Sequence, residues 1–293
     1  MDSSDEFDSG EHDRVANSDK IQRDKKKGSS LSEILDLAGR VALVTGAGQG
    51  VGRRIALHFA AHNAGCVAVN DFYLGRAQSV VDEITALGGK AVAAQADVTD
   101  LEAVKSTVKK VVDVHGPIGV LVNNAGNQGV NPRPAIRKPF WETGPEVWNN
   151  AIGVNLYGVI NCATAVIPGM IARQAPGRII TIISDAGRWG DAGLETYAAA
   201  KAGAAGFMRS VARTLGRYQI TANSVAIAAT ATETNARVAS NPELDKKILE
   251  KYIIRRRGDP VDVANMVLFL ASDASPWITG QTYPVNGGFS FAL

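Results

Sequence analysis

From residue 40 onward the chain alternates between short runs rich in Val, Ile and Ala and longer stretches with helical spacing. Near-continuous apolar runs of this length mark strands buried on both faces, as in a parallel sheet covered by helices. The strand runs fall at 40–46, 66–71, 90–98, 118–126, 177–184, 220–227 and 281–285. Helical stretches lie between them at 51–65, 75–89, 100–116, 146–173, 196–217 and 261–272. With right-handed crossovers, this alternation predicts an α/β fold: a Rossmann-like, doubly wound parallel sheet of seven strands with helices on both faces. Ligands in such sheets bind at the carboxyl ends of the strands. A residue with a chemical role is therefore expected there or on the following helix.

A chain of 293 residues suits one domain of about 250 residues plus an appendage. The first thirty residues differ from the rest: acids dominate up to Asp13, and Lys and Arg dominate from 20 to 27. They hold few large apolar side chains and no apolar core of a signal peptide. They read as a tail that buries too little surface to fold alone, or as an arm that docks on a neighbouring subunit. "KKK" followed by "LSEILDL" also fits a short amphipathic surface helix. The expected division is an N-terminal extension at 1–37 and one folded domain at 38–293.

Apolar residues at 45% suffice for a full core, and a net charge of +2 gives no strong pull toward nucleic acid or membrane. Neither is expected as a partner. Cys66 and Cys162 have no paired or metal-like spacing, so they are expected as buried free thiols in a reducing, cytoplasmic setting, with no metal bound. No apolar run reaches the roughly 18 residues that a membrane span requires, so none is expected.

"TGAGQGVG" at 45–52 follows the first strand and opens the first helix. Gly46 allows the tight turn. Gly50 and Gly52 let backbone approach a pyrophosphate and let the helix pack on the sheet. With Gln49 and Val51, these glycines form a cradle at a helix N-terminus, where unpaired N–H groups attract anions. Asp71 ends the second strand, 19 residues after Gly52, placed to accept hydrogen bonds from an adenosine ribose. A 2′-phosphate there would meet repulsion of roughly 4 kcal/mol at 4 Å. Phe72 rather than a cation follows Asp71, which favours NAD over NADP. Arg53 and Arg76 remain candidates to reach a phosphate.

"ETYAAAKAGAAGF" at 195–207 puts Tyr197 and Lys201 four residues apart, on one helix face. The surrounding Ala and Gly suit close approach by a ligand. Ser184 closes the preceding strand, on the ligand-binding edge.

These features together resemble the short-chain dehydrogenase/reductase family. The matching motifs are TGxxxGxG at 45–52, "ADVTD" at 96–100, "NNAG" at 123–126, "VNLYG" at 154–158, Ser184, "YAAAK" at 197–201 and "FLASDASPWITGQ" at 269–281. The resemblance implies a catalytic set of Asn155, Ser184, Tyr197 and Lys201. It also implies cofactor contacts from Asp97 and Val98 at the adenine, from Asn123, Ala125 and Gly126 after the fourth strand, and from Thr230 and Thr232 after the sixth. Tyr197 would be the acid/base, its phenol made acidic by Lys201 and the oxidised nicotinamide. Lys201 would also bind the nicotinamide ribose, as in the family. Ser184 would hold the substrate oxygen, and Asn155 a water leading from Lys201 to solvent. A homotetramer is implied as well, through the helices at 146–173 and 196–217 and the last strand.

Two departures from the family pattern stand out. Ile227 and Ala228 replace Pro-Gly after the sixth strand, which raises the question of a turn that requires positive φ. Asn286 replaces the aspartate common in the closing "VDGG". Substrate selection is expected from loops at 127–144, 185–193 and 232–258, with Phe140, Trp141, Arg188 and Trp189. Arg133, Arg137, Lys138 and Arg255 to Arg257 are candidates for a phosphate-bearing tail such as coenzyme A; solvated basic loops explain them equally well. The expected activity is NAD-dependent interconversion of a secondary alcohol and a ketone, on an alicyclic, steroid-like or hydroxyacyl thioester substrate. The alternatives are an NADPH-dependent 3-oxoacyl reductase, and a cofactor-binding sensor or scaffold with little turnover.

Overall fold

The computed structural model describes residues 34–127, 138–233 and 242–291. Seven parallel strands form one sheet in the order β3-β2-β1-β4-β5-β6-β7. They are β1 (Val41–Val44), β2 (Cys66–Val69), β3 (Ala91–Ala93), β4 (Ile118–Asn123), β5 (Gly177–Ser184), β6 (Ile220–Ile227) and β7 (Thr282–Val285). The order reverses between β1 and β4, which opens the crevice where ligands bind in doubly wound sheets.

Successive strand residues point to opposite faces, so each strand feeds two cores. Ala42 and Val44 join the core under α1 (Gly50–Ala61), α2 (Leu74–Ala86) and a late helix, Pro260–Ala271. Val41 and Leu43 join the core under α3 (Leu101–His115), α4 (Pro145–Ala172) and a 21-residue helix, Glu195–Leu215. In chain order the remaining helices are α5 (Ala186–Trp189), α6 (Glu195–Leu215), α7 (Pro242–Leu249) and α8 (Pro260–Ala271). Local signals fix several helix starts. Asp100 caps α3 by accepting from the Glu102 and Ala103 N–H groups, each at 3.0 Å. Asp259 and Asp262 form a reciprocal cap on α8.

The compact unit begins at Leu35. Leu37 is fully buried in the first core, and its N–H donates to His62 O at 2.9 Å. The extension at 1–33 lies outside the described residues.

The helix expected at 146–173 contains a π turn at Gly153–Tyr157. This whole helix, Pro145–Ala172, is long and apolar enough to cross a membrane by length and composition, contrary to the sequence expectation. In this fold it lies against the sheet with 39% of its most apolar stretch buried, and it carries the fully buried Asn155. Both cysteines are free and buried, and burial pushes the Cys162 thiol up to about 12.

Candidate active site

The glycine-rich turn leaves β1 at the switch point. Gly46 has φ +60°, and a Cβ there would lie 2.8 Å from Ala125 Cα. Only glycine lets β1's exit turn press against the "NNAG" segment. Thr45 Oγ1 accepts from the N–H groups of Asn124 and Ala125, each at 3.0 Å. The Asn124 amide donates to Thr45 O and Gly46 O at 2.9 and 3.0 Å. Asn124 thus locks the cradle, a role that spacing alone did not reveal. Asn123 instead donates to Thr181 Oγ1 at 3.1 Å and staples β4 to β5.

Gln49 stands at the N-cap of α1 without a side-chain cap bond, and no acid occupies the first turn. The orphan N–H groups at Gly50, Val51 and Gly52 are therefore available to an anion. Thr232 comes over this turn, its methyl 3.3 Å from a Cβ built at Gly50. Thr230 is buried and pairs as a parallel bridge with Gly258.

Asp71 is buried at the end of β2, where its carboxylate accepts from the Gly48 N–H at 3.2 Å and the Tyr73 N–H at 3.0 Å. A carboxylate offers about four acceptor positions, so room remains for a diol. Arg53 is held by Glu83 through two bonds at 2.8 and 2.5 Å, in an ion pair that is partly exposed. Arg76 lies 4.6 Å above the Tyr73 ring. Phe72 is exposed beside the same ring. Asp97 turns back to its own loop, accepting from Thr99 N–H and Oγ1–H at 2.8 Å. Val98 is buried, and its carbonyl accepts from Asn161 on α4 at 2.9 Å.

The structure brings three of the four expected catalytic residues, Asn155, Tyr197 and Lys201, into one neighbourhood. Lys201 is 4% exposed; its ammonium donates to Ile182 O at 2.8 Å and lies 5.9 Å from the Tyr197 ring centroid. Burial lowers Lys201 from its ordinary 10.5 to about 8. Asn155 sits in the π turn, a common functional insertion in helices. Its Nδ2 donates to Ala151 O and Asn127 O, both at 2.8 Å. Its Oδ1 is buried without a partner among the described groups. Ser184 ends β5, its Oγ accepting from Ala186 N–H at 3.2 Å. The α5 turn that follows packs directly on α6: a Cβ at Gly187 would lie 3.0 Å from Lys201 Cβ.

The two departures now have explanations. Ala228 is not among the residues with positive φ, so the turn after β6 never requires glycine. Its neighbour Ala229 donates N–H to the Tyr252 phenol oxygen at 2.9 Å. Asn286 Nδ2 donates to Asp185 Oδ2 at 2.7 Å, a bond that an aspartate at 286 could not make. Of the basic candidates, Arg256 is held by Asp262 and Arg257 by Asp245. Arg133 and Arg137, like 234–241 of the third loop, lie outside the described residues.

Comparison with known proteins identifies the family. The family model described as enoyl-(acyl carrier protein) reductase matches residues 46–290. The 3-oxoacyl-(acyl-carrier-protein) reductase FabG of Staphylococcus epidermidis is 41% identical over 251 residues, covering 84% of this chain and 97% of that protein. The 7alpha-hydroxysteroid dehydrogenase of Escherichia coli K12 is 35% identical over 257 residues, covering 88% and 96%. A solved 7 alpha-hydroxysteroid dehydrogenase, complexed with NADH and 7-oxo glycochenodeoxycholic acid, superposes with a TM-score of 0.82 at 35% identity, over 89% of this chain and 98% of that one. A gluconate 5-dehydrogenase from Burkholderia cenocepacia, in complex with NADP and tartrate, gives 0.81 at 31% identity, over 89% and 99%. The chain therefore belongs to the short-chain dehydrogenase/reductase family, NAD(P)-dependent oxidoreductases that act on CH–OH groups.

Proposed function

We propose that the protein is an NAD-dependent oxidoreductase that interconverts a secondary alcohol and a ketone, with Tyr197 as acid/base. The observation that carries this reading is the buried Lys201 ammonium over the Tyr197 ring, close to an Asn155 oxygen that has no partner among the described groups. A buried cation with no carboxylate paired to it among the described residues favours a negative charge nearby, and the phenolate is the charge it can create. The cradle supports the cofactor, since its glycines leave room for a pyrophosphate and the α1 N–H groups are unspent. When bound, nicotinamide takes or supplies the hydride. Tyr197 removes or returns the hydroxyl proton, Ser184 bonds the substrate oxygen, and Lys201 holds the ribose and biases the phenol. Asn155 Oδ1 anchors a water that passes the proton from Lys201 outward.

The substrate class we favour is alicyclic or steroid-like. Phe140 and Trp141 in a helical turn before α4, and Trp189 at the end of α5 after β5, are exposed, and the steroid-acting relative supports the choice. Pairing of Arg256 and Arg257 leaves Lys138 and Arg255 as the described cations for a phosphate-bearing tail, which weakens the hydroxyacyl thioester reading. Asp71 supports NAD. Arg76 and the 3-oxoacyl-reducing relative favour the second reading, an NADPH-dependent 3-oxoacyl reductase. Absorbance at 340 nm with both cofactors against a panel of alcohols, ketones and hydroxyacyl esters separates the two. A strong preference for NADPH overturns the first.

A homotetramer and a cytoplasmic location belong to the same proposal. The half-exposed apolar flank of α4, the length of α6 and the open edge at β7 support the assembly. A monomer by light scattering overturns it.

A further inference from the structure

We propose that Asp185 is a positioning residue for Ser184, acting through a buried bridge to Asn286 and Arg188. This rests on the reading of Ser184 as the group that bonds the substrate oxygen. Asp185 is 2% exposed, and a carboxylate that deep persists only where its oxygens are matched. Oδ1 accepts from Arg188 Nη1 at 2.6 Å, and Oδ2 accepts from Asn286 Nδ2 at 2.7 Å. The backbone N–H of Asp185 donates to Ile227 O at 3.0 Å, and its carbonyl accepts from the Arg188 and Trp189 N–H groups at 2.9 and 2.7 Å. The residue directly after Ser184 is thus pinned to the end of β6, to the α5 turn and to the segment after β7. Because Ser184 is its covalent neighbour at the end of β5, movement of Asp185 moves the Ser184 hydroxyl.

The bridge has a fixed polarity. The Asn286 amide also donates to Ser290 O at 2.8 Å, and its oxygen accepts from the Gly288 N–H at 3.0 Å, so a flip would break each of these bonds. Arg188 donates further to Ser290 Oγ and Phe291 O, each at 3.2 Å. One acid and one amide therefore face each other between β5 and β7. The acid sits at 185 and the amide at 286; an acid at both would oppose two carboxylates across one bond length.

The test is a double-mutant cycle on kcat. Asp185→Asn keeps the shape and removes the charge. It is expected to lower kcat tenfold or more, with KM for the substrate and the dissociation constant for NAD each within twofold. In a Ser184→Ala background, Asp185→Asn should change kcat by less than twofold, which a merely structural role would not produce. Asn286→Asp alone should lose activity as well. The exchange Asp185→Asn with Asn286→Asp keeps one acid and one amide but sets a carboxylate against Ser290 O, so it should not recover the lost kcat; recovery to the wild-type level would overturn the fixed polarity of the bridge. Full activity of Asp185→Asn, or an equal loss in the Ser184→Ala background, overturns the bridge alone. A wild-type protein that turns over no alcohol or ketone, or is indifferent to Ser184→Ala, overturns the proposed function and the bridge with it.

Discussion

The Asn155 amide oxygen and the Lys201 ammonium converge across Gly126. A Cβ built on that glycine would lie 2.9 Å from Oδ1 and 3.3 Å from Nζ. A side chain at 126 would fill the gap that the proposed relay water requires. Gly126→Ala should lower kcat at least tenfold while the protein stays folded, as circular dichroism and 340 nm turnover would report. Unchanged kcat would remove the water from the mechanism.

Tyr197→Phe keeps the ring and removes the acidic proton. Turnover should fall by about 10²–10⁴-fold, the usual contribution of a positioned acid/base. NAD affinity, read by quenching of protein fluorescence, should stay within a few-fold. Surviving activity would assign the proton transfer to another group.

Lys201 titrates near 8 in the folded protein against 10.5 when exposed, a shift caused by burial. Between those values the unfolded chain binds more protons, so this residue makes stability rise with pH across that window. Below about 8 both states are protonated and the burial penalty is present in full. Lys201→Met should therefore be more stable than wild type at pH 7.5, on the order of 3 kcal/mol before relaxation. The difference should shrink toward pH 10.5 in urea titrations. A variant less stable than wild type at pH 7.5 would contradict this account.

Gly46→Ala combines a disfavoured φ of +60° with a contact of 2.8 Å to Ala125 Cα. The cost should be about 1–3 kcal/mol of stability, with NAD affinity reduced at least tenfold. Thermal melts with and without NAD would measure both.

Ala228→Gly supplies the residue common in related turns, where Ala228 already keeps a negative φ. NAD affinity should change by less than threefold, and stability should fall by up to about 1 kcal/mol from added chain entropy. A large gain in affinity would mean that the alanine distorts the turn.

Alternation of buried apolar runs with helical stretches was enough to set the seven-stranded parallel sheet, because covering both faces demands that pattern and little else. The cradle at 45–52 and the Tyr197–Lys201 pair were equally legible, since a tight turn requires glycine and a helical turn spans four residues. Other relationships link residues far apart in the chain, and no local spacing encodes them. Asn124 locking Thr45 and Asp185 meeting an amide at 286 arise where separate strand ends pack together, and Glu83 pairs with Arg53 where α2 lies beside α1. Hydrogen-bond partners and the burial that lowers Lys201 are properties of that packing, so only the tertiary structure decided them.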